Sequence, residues 1–457
     1  MRSRPSVAIV GAGSSGITAL KACVDAGLTV TAYEKGDRVG GNWVFRNSNG
    51  MSSSYKTLHI NTSRERMEYA DFPMPKDFPD FPHHTHIARY FQDYVDHFGL
   101  GEHIRYGVGV ERAAPRDGGG WTVRLDDGGQ VEHDALLVAN GHHWDARWPE
   151  PAFPGAETFT GVQMHAHQFE DNSDWTDKRV VVLGMGNSAM DIAVEASWVA
   201  SKTFLAIRTP AHILPKYIFG RPLDQIQTDA TARLPWKVRE KLFAAMLRVA
   251  VGRYEDYGLP RPTHGIMQAH PTISDNILSR MAHGEIVAKP NISHFDGDDV
   301  VFTDGSREQA DVVVYCTGYR ISWPFLDPDI ISAPDNKVEL YERIWPVDVP
   351  DLAFVGLVQP LGAIMPIAER QGKLLAAWLR GDYVLPPRAE MLASIADQRA
   401  AVSARYVGSK RHTIQVDYDV YMHELNKEWV RGASRAKPRK PREPSLAAAG
   451  AGLQADR

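Results

Sequence analysis

The sequence predicts an α/β protein of two Rossmann-like dinucleotide-binding domains, one inserted in the other, and three observations carry that prediction. Two glycine-rich hexapeptides, GAGSSG from Gly11 to Gly16 and GMGNSA from Gly184 to Ala189, each follow a run of valines and isoleucines and open a helical pattern. Such a hexapeptide alone is common; the strand before it and the helix after it, found here twice, give it meaning. Each unit also closes alike, with an apolar strand that stops at a polar residue and a glycine, Asn140-Gly141 in one and Thr317-Gly318 in the other.

In chain order, residues 7–10 read as a buried strand, 17–26 as a helix ended by Gly27, and 28–33 as a second strand leading to Glu34. The polar stretch 117–129, with Asp-Gly turn signals around alternating residues, predicts a small β-meander before the closing strand at 136–139. The second unit repeats the plan: strand 180–183, helix 190–200, strand 204–207 ending at Arg208, a meander around 296–305 and a closing strand at 312–315. Its helix reads about one residue longer than the first. A further apolar strand at 352–357 is expected to return to the first domain, and 367–379 has the pattern of an amphipathic helix. The expected division is 1–154 and 321–432 for the outer domain and 155–320 for the inserted one. From residue 433 to 457 the chain is basic, then rich in Ala and Gly, and has too little to bury, so a disordered tail is expected.

At 457 residues and 43% hydrophobic composition the chain can bury at least two cores. A net charge of -5, from 51 basic and 56 acidic residues, argues against a nucleic-acid partner. Cys23 and Cys316 lie far apart with no CxxC pair, which fits a reducing cytosol and leaves no thiol redox centre. No apolar stretch reaches membrane-spanning length, so a soluble cytoplasmic protein is expected. No metal is expected either: His83, His84 and His86 cluster, but no carboxylate or cysteine pattern completes a site.

The chemistry lies at the two turns. Gly11 permits the tight turn, Gly13 a close approach of backbone to a pyrophosphate, and Gly16 close packing of helix on strand. Glu34, followed by Lys35, is placed to accept hydrogen bonds from ribose hydroxyls, which fits FAD or NAD equally. In the second turn, Gly184 and Gly186 are followed by Asn187, Ser188 and Ala189, and the strand ends in Arg208-Thr209 where an acidic residue would favour NAD. A guanidinium there pairs with a 2'-phosphate and selects NADP. Gly40-Gly41-Asn42-Trp43 offers close backbone approach to a flat cofactor, though it reads equally as a turn; Asn61-Thr62-Ser63 offers neutral hydrogen-bonding groups, or a plain loop. Lys216 to Pro222 grips a cofactor or is simply structured loop, and Gln359 follows the returning strand and precedes a helix.

Between the two turns, FTGVQMHAHQF carries Phe159, Gly161, His165 and Phe169, which match the FxGxxxHxxx(F/Y) signature of flavin-containing monooxygenases. The chain also resembles that family at GGNW, at Asn61-Thr62-Ser63 with the following DFPMP, at GMGNSAMD and at Cys316-Thr317-Gly318-Tyr319, which is similar to the family's ATGY. The resemblance implies FAD at the first turn and NADPH at the second, in agreement with the direct reading of Glu34 and Arg208. It implies that Asn61 lies beside flavin carbon 4a, where dioxygen adds to form a peroxyflavin, with Asn187 close to flavin and nicotinamide. It also implies that Thr317, Gly318 and Gln359 belong to the cofactor sites. Such an adduct decays to hydrogen peroxide when water or a stray base reaches it, so neutral amides and a dry site suit it, and no protein nucleophile is expected. His165 is read as a structural group rather than an acid or base.

The leading expectation is therefore an NADPH-dependent flavin monooxygenase acting with dioxygen on a small-molecule amine or sulfide. Baeyer-Villiger oxygenation of ketones ranks second, because that subgroup resembles FxGxxxHxxxW and this chain has Phe169 at the last position. A disulfide reductase of the glutathione-reductase-like plan lacks its cysteine pair here, and a non-catalytic FAD and NADP sensor is opposed by Asn61 and the complete signature. A homodimer is common among relatives, but no stripe in the sequence assigns an interface.

Overall fold

A computed structural model describes residues 5–226, 235–266, 268–405 and 413–436. The apolar run at Ser6–Val10 forms β1, buried on both faces at the centre of a parallel sheet, as continuous Val/Ile runs demand. Helix α1 spans Ser14–Asp25 and begins inside the glycine turn, earlier than periodicity suggests, because the last residues of the hexapeptide form the first helical turn. Strand β2 (Thr29–Glu34) pairs with β1, helix α2 (His84–His97) crosses the face, and β3 (Ile104–Tyr106) pairs beyond β2. The expected meander is β4 (Val110–Pro115), β5 (Trp121–Leu125) and β6 (Gln130–His133), all antiparallel, and β7 (Ala135–Val138) returns beside β1.

The second unit starts with β8 (Val162–His165) and continues through β9 (Arg179–Leu183), α3 (Asn187–Ser197) and β10 (Lys202–Ile207). Here α3 has 11 residues against 12 in α1, so the longer second helix expected from sequence is corrected. Arg280 ends it early by donating from Nη2 to the carbonyl of Ser197 and, at 2.8 Å, from Nε to its hydroxyl. Helix α4 (Trp236–Val251) leads toward β11 (Ile286–Pro290), the second meander is β12 (Ile292–Asp296), β13 (Asp299–Phe302) and β14 (Arg307–Gln309), and β15 (Val312–Tyr315) closes the unit. The sheet order is β11-β10-β9-β15-β8, parallel throughout.

Strand β16 (Leu352–Phe354) then pairs with β7, so the first sheet reads β3-β2-β1-β7-β16. The two sheets are built alike, and the edge place that β16 takes in the first is taken in the second by β8, which comes before its unit rather than after it. Strand β17 (Gln359–Leu361), helix α5 (Met365–Arg380), a further helix at Arg388–Arg405, strand β18 (Gln415–Asp417) and helix α6 (Tyr418–Arg435) follow. Helix α5 lies on α1 at backbone distance: a Cβ at Gly372 would meet Ala19 Cα at 3.0 Å. Ala433, Ser434 and Arg435, expected in the disordered tail, instead form the last turn of α6. Ser434 donates to the Val430 carbonyl, and Arg435 pairs with the buried Glu428 and donates to the Val384 carbonyl at 2.9 Å. The tail from 437 onward lies outside the described residues. Among the described residues no helix is long and apolar enough to cross a membrane, and no group of three His, Cys, Asp or Glu is arranged to hold a metal.

Candidate functional site

The first glycine turn is compressed against its own sheet. Gly11 holds φ +96, its N–H donates to the Tyr33 carbonyl at 2.8 Å, and a Cβ on Gly16 would lie 2.0 Å from the Gly11 carbonyl oxygen. Gly13 and Gly41 face each other so closely that a Cβ on Gly41 would meet Gly13 Cα at 3.3 Å; the GGNW motif thus packs on the turn. No side chain caps the start of α1 and no acidic residue stands in its first turn. Its free N–H groups and dipole form an anion cradle. Glu34 is buried and accepts from the N–H of Ala12 (2.8 Å) and of Gly36 (2.7 Å), which fixes the carboxylate beside the turn, with exposed Lys35 next to it. These groups fit the adenosine diphosphate half of a dinucleotide.

The second turn differs in two places. Gly184 (φ +138) is as constrained as Gly11, since a Cβ would sit 2.8 Å from the Cys316 carbonyl oxygen. Ala189, however, is accommodated where Gly16 admits no side chain. Helix α3 again begins without a side-chain cap, at Gly186. Arg208 and Thr209 are exposed at the end of β10, and Arg208 makes no ion pair among the described residues, which suits a site for a phosphate. Ser188 is half-buried in the first turn of α3.

The loop that carries Asn61 and Thr62, both half-buried, is held from both units. Asn42 accepts from the Ser53 N–H (2.7 Å) and hydroxyl (2.9 Å), while Trp43 stands half-buried beside it. Tyr55 donates its hydroxyl to Asp191 on α3, Lys216 reaches the carbonyl of Ile60 at 3.3 Å, and Asp224 accepts the N–H of Ser63 at 2.6 Å. Asn187 accepts the Ile273 N–H at 2.9 Å, so its amide oxygen pins the strand opposite. Tyr55, Asp191, Lys216 and Ile273 line one cavity of about 230 Å³ with Thr57, His59 and Asp275 among its other walls. Burial raises the Asp191 carboxyl to about 6, against the lowering effects of Tyr55 and Lys216. Burial pulls Lys216 below the ordinary lysine range, against Asp191 and Asp275.

Three expected ligand groups are already engaged. The Thr317 hydroxyl donates to the Arg147 carbonyl, the Gly318 carbonyl accepts the Arg147 N–H at 2.9 Å, and the Gln359 N–H donates to Ile414 at 2.8 Å. Gly318 holds φ +84, which lets the chain turn from β15 across the seam between the units. His165 is wholly buried; its Nδ1 accepts the His167 N–H at 3.0 Å. Burial, with His167 beside it, lowers it to about 4, so it is a neutral structural group at neutral pH. The rest of the signature is packing: Gly161 has no room for a Cβ against Phe159 and the Asp311 carbonyl, and Phe169 packs on Trp175 and Tyr55 at ring distances of 5.0 and 5.7 Å. His83 caps α2 and His84 is buried, while the Cys23 thiol is pushed up to about 12 by burial and Cys316 is raised likewise. Tyr55 and Asp191 escaped the sequence reading. The visible signal was Asp191, four positions after Asn187, one of two acidic residues with Glu195 in the apolar run MDIAVEA.

Residues 4–438 match the flavin-binding monooxygenase-like family. The chain belongs to that family. It is 36% identical over 436 residues to flavin-containing monooxygenase 5 of Homo sapiens, covering 92% of this chain and 81% of the relative. It is 34% identical over the same length and shares to dimethylaniline monooxygenase [N-oxide-forming] 2 of Rattus norvegicus. Among solved structures, S-allyl-L-cysteine S-oxygenase from Allium sativum superposes with a TM-score of 0.70 at 25% identity, over 94% of this chain and 92% of that one. A closed cyclohexanone monooxygenase shares the fold, with a TM-score of 0.72 at 17% identity over 94% and 98% of the two chains. This flavin monooxygenase is thus an enzyme with FAD and NADPH as its cofactors.

Proposed function

We propose that this monooxygenase uses NADPH and dioxygen to oxygenate the nitrogen of an amine or the sulfur of a sulfide in a small molecule. FAD lies at the first glycine turn, in a domain of residues 1–154 and 321–432, and NADPH at the second, in a domain of 155–320. Bound FAD supplies the electron store and the activation of dioxygen, and NADPH the hydride. The observation that carries the reading is the grip on the Asn61 loop: the Tyr55–Asp191 hydrogen bond and the Lys216 and Asp224 contacts tie this segment of the first unit to the unit that carries the second turn.

In this reading Glu34 orients the adenosine ribose of FAD and Arg208 the 2'-phosphate of NADPH. Asn61 and Asn187 offer neutral donors where oxygen is transferred. The Phe169 and Trp175 packing buries the Tyr55 ring at the start of that segment. The names of two relatives, one N-oxide-forming and one an S-oxygenase, support a soft heteroatom as acceptor. Phe169 in place of tryptophan puts ketone oxygenation second. Two free cysteines support a cytoplasmic location.

The test is to reduce the purified yellow protein with NADPH in the absence of oxygen, admit oxygen, and assay products from trimethylamine, a thioether and a cyclic ketone. An N-oxide or sulfoxide formed in step with NADPH consumption supports the reading. Ester formation from the ketone alone, or hydrogen peroxide as the sole oxygen product with all three, refutes it.

A further inference from the structure

A buried chain of hydrogen bonds connects the C-terminal helix α6 to the first glycine turn, and no part of the proposed oxygenation uses it. Gly356, just after β16, holds φ +73, and a Cβ there would lie 2.1 Å from the hydroxyl of Ser15, so its backbone rests on the turn that opens α1. The Gly356 N–H donates to Gln371 Oε1 at 2.7 Å, and Gln371 is wholly buried on α5. Its Nε2 donates to the Tyr421 hydroxyl at 2.8 Å, and that hydroxyl donates to the Glu342 carbonyl at 2.7 Å. The direction is fixed by donor and acceptor chemistry. The amide must show oxygen to Gly356, so its nitrogen faces Tyr421, and Tyr421 must pass its own proton onward. At the far end Glu342 and Arg343 both hold positive φ, 49 and 59, a conformation that persists in non-glycine residues only where surroundings enforce it.

The same C-terminal unit is tied to the adjoining segment a second time. Strand β18 pairs in parallel with β17, and Gly362 (φ +132) passes so close to α6 that a Cβ would meet Tyr418 Cβ at 3.0 Å. Gly432 on α6 is seated against Tyr383, where a Cβ would overlap the ring at 2.0 Å. The unit is therefore locked at both ends, with Tyr421 between them.

We infer that β18 and α6 form a retention clamp for FAD, in which Gln371 and Tyr421 are positioning residues that fix Gly356 against Ser15 and so hold the pyrophosphate turn in its binding geometry. Fixing the N–H groups of the turn in advance removes an ordering cost from binding and slows release. The inference rests on FAD lying at the first turn.

The test uses the holoenzyme and follows FAD release by recovery of flavin fluorescence well below the unfolding temperature, with NADP+ affinity as a control on the second site. Gln371→Leu keeps the volume but removes both hydrogen bonds, Tyr421→Phe removes one oxygen atom, and Gln371→Glu keeps the acceptor for Gly356. Gln371→Leu and Tyr421→Phe should each release FAD about tenfold faster, the scale of one stranded buried hydrogen-bonding group. NADP+ affinity should not move, Gln371→Glu should recover most of the retention, and the Leu/Phe double variant should be little worse than Gln371→Leu alone. Unchanged release in both single variants, parallel losses of FAD and NADP+, or Glu no better than Leu would overturn the clamp. Should Gln371→Leu not fold, Tyr421→Phe decides by the same release and NADP+ measurements. A separate Gly11→Ala variant that still holds FAD would refute the placement of FAD itself and leave the clamp without its ligand.

Discussion

Glu34 and Arg208 end equivalent strands in two similar sheets, yet one is buried under two backbone N–H groups and the other stands in solvent. A buried, fully oriented carboxylate is a rigid acceptor for ribose hydroxyls, whereas an exposed guanidinium loses little water when a phosphate arrives. Arg208→Ala should therefore weaken kcat/KM for NADPH by roughly 1.5 to 3 kcal/mol, the scale of a hydrogen bond to a charged group, and leave NADH use nearly unchanged. Equal losses with both cofactors in steady-state assays would contradict the assignment. For Asn61→Ala the expectation is normal flavin reduction by NADPH in stopped flow but a large shift of oxygen consumption from product to hydrogen peroxide. Unaltered coupling would remove Asn61 from the reacting edge.

At the scale of elements, the two glycine turns show how sequence tolerance follows from contact. A methyl group on Gly16 would lie 2.0 Å from a backbone carbonyl that cannot move without breaking the turn, whereas Ala189 already occupies the matching place in the second turn. Gly16→Ala should cost at least about 1–3 kcal/mol and release FAD, as overpacking at an immobile backbone does. Ala189→Gly should cost only about 1 kcal/mol, through helix propensity, and keep NADP+ binding. Thermal melts with flavin release, and NADP+ titration, measure the two; equal behaviour of both variants would show that the difference in packing is without effect. The signature segment acts at this scale too. Its strand β8 is the edge of the second sheet, and its Phe169 supports Tyr55, so a motif read from spacing turns out to brace the seam between the units.

Across the whole molecule, the C-terminal helix gathers buried carboxylates whose titration should be visible in stability. Burial, then Glu428 and Glu424, raise Glu342 to about 7, while Arg343 and Arg431 oppose the rise. A carboxyl with a raised folded-state value contributes stability that is complete below its ordinary value near 4.5 and is lost as pH climbs through about 7. Glu342→Gln, which keeps the shape without the charge, should raise stability at pH 8 by roughly 2–3 kcal/mol and converge on the parent near pH 4.5. Denaturant unfolding at several pH values checks this, and a constant difference across pH would refute it. Asp191, raised to about 6 by burial, works in the same direction at the seam between the units.

The two sheets and their glycine turns are legible in the chain alone, because strand, turn and helix are set by neighbours in the chain and by the conformations that glycine adopts most readily. The sequence also marked the return of the strand at Leu352–Phe354 and both meanders, since apolar runs and Asp-Gly turns are local signals. It was less reliable wherever a partner distant in sequence sets the outcome. The earlier end of α3 depends on Arg280, the extension of α6 through Arg435 on Glu428, and the engagement of the Asn187, Thr317 and Gln359 groups on Ile273, Arg147 and Ile414. Tyr55 with Asp191, and Gln371 with Tyr421, became visible only in three dimensions, because a hydrogen bond between residues 136 or 50 positions apart leaves no periodicity in the chain. Local sterics wrote the nucleotide turns into the sequence; the way those turns are braced and brought together was decided by the tertiary packing.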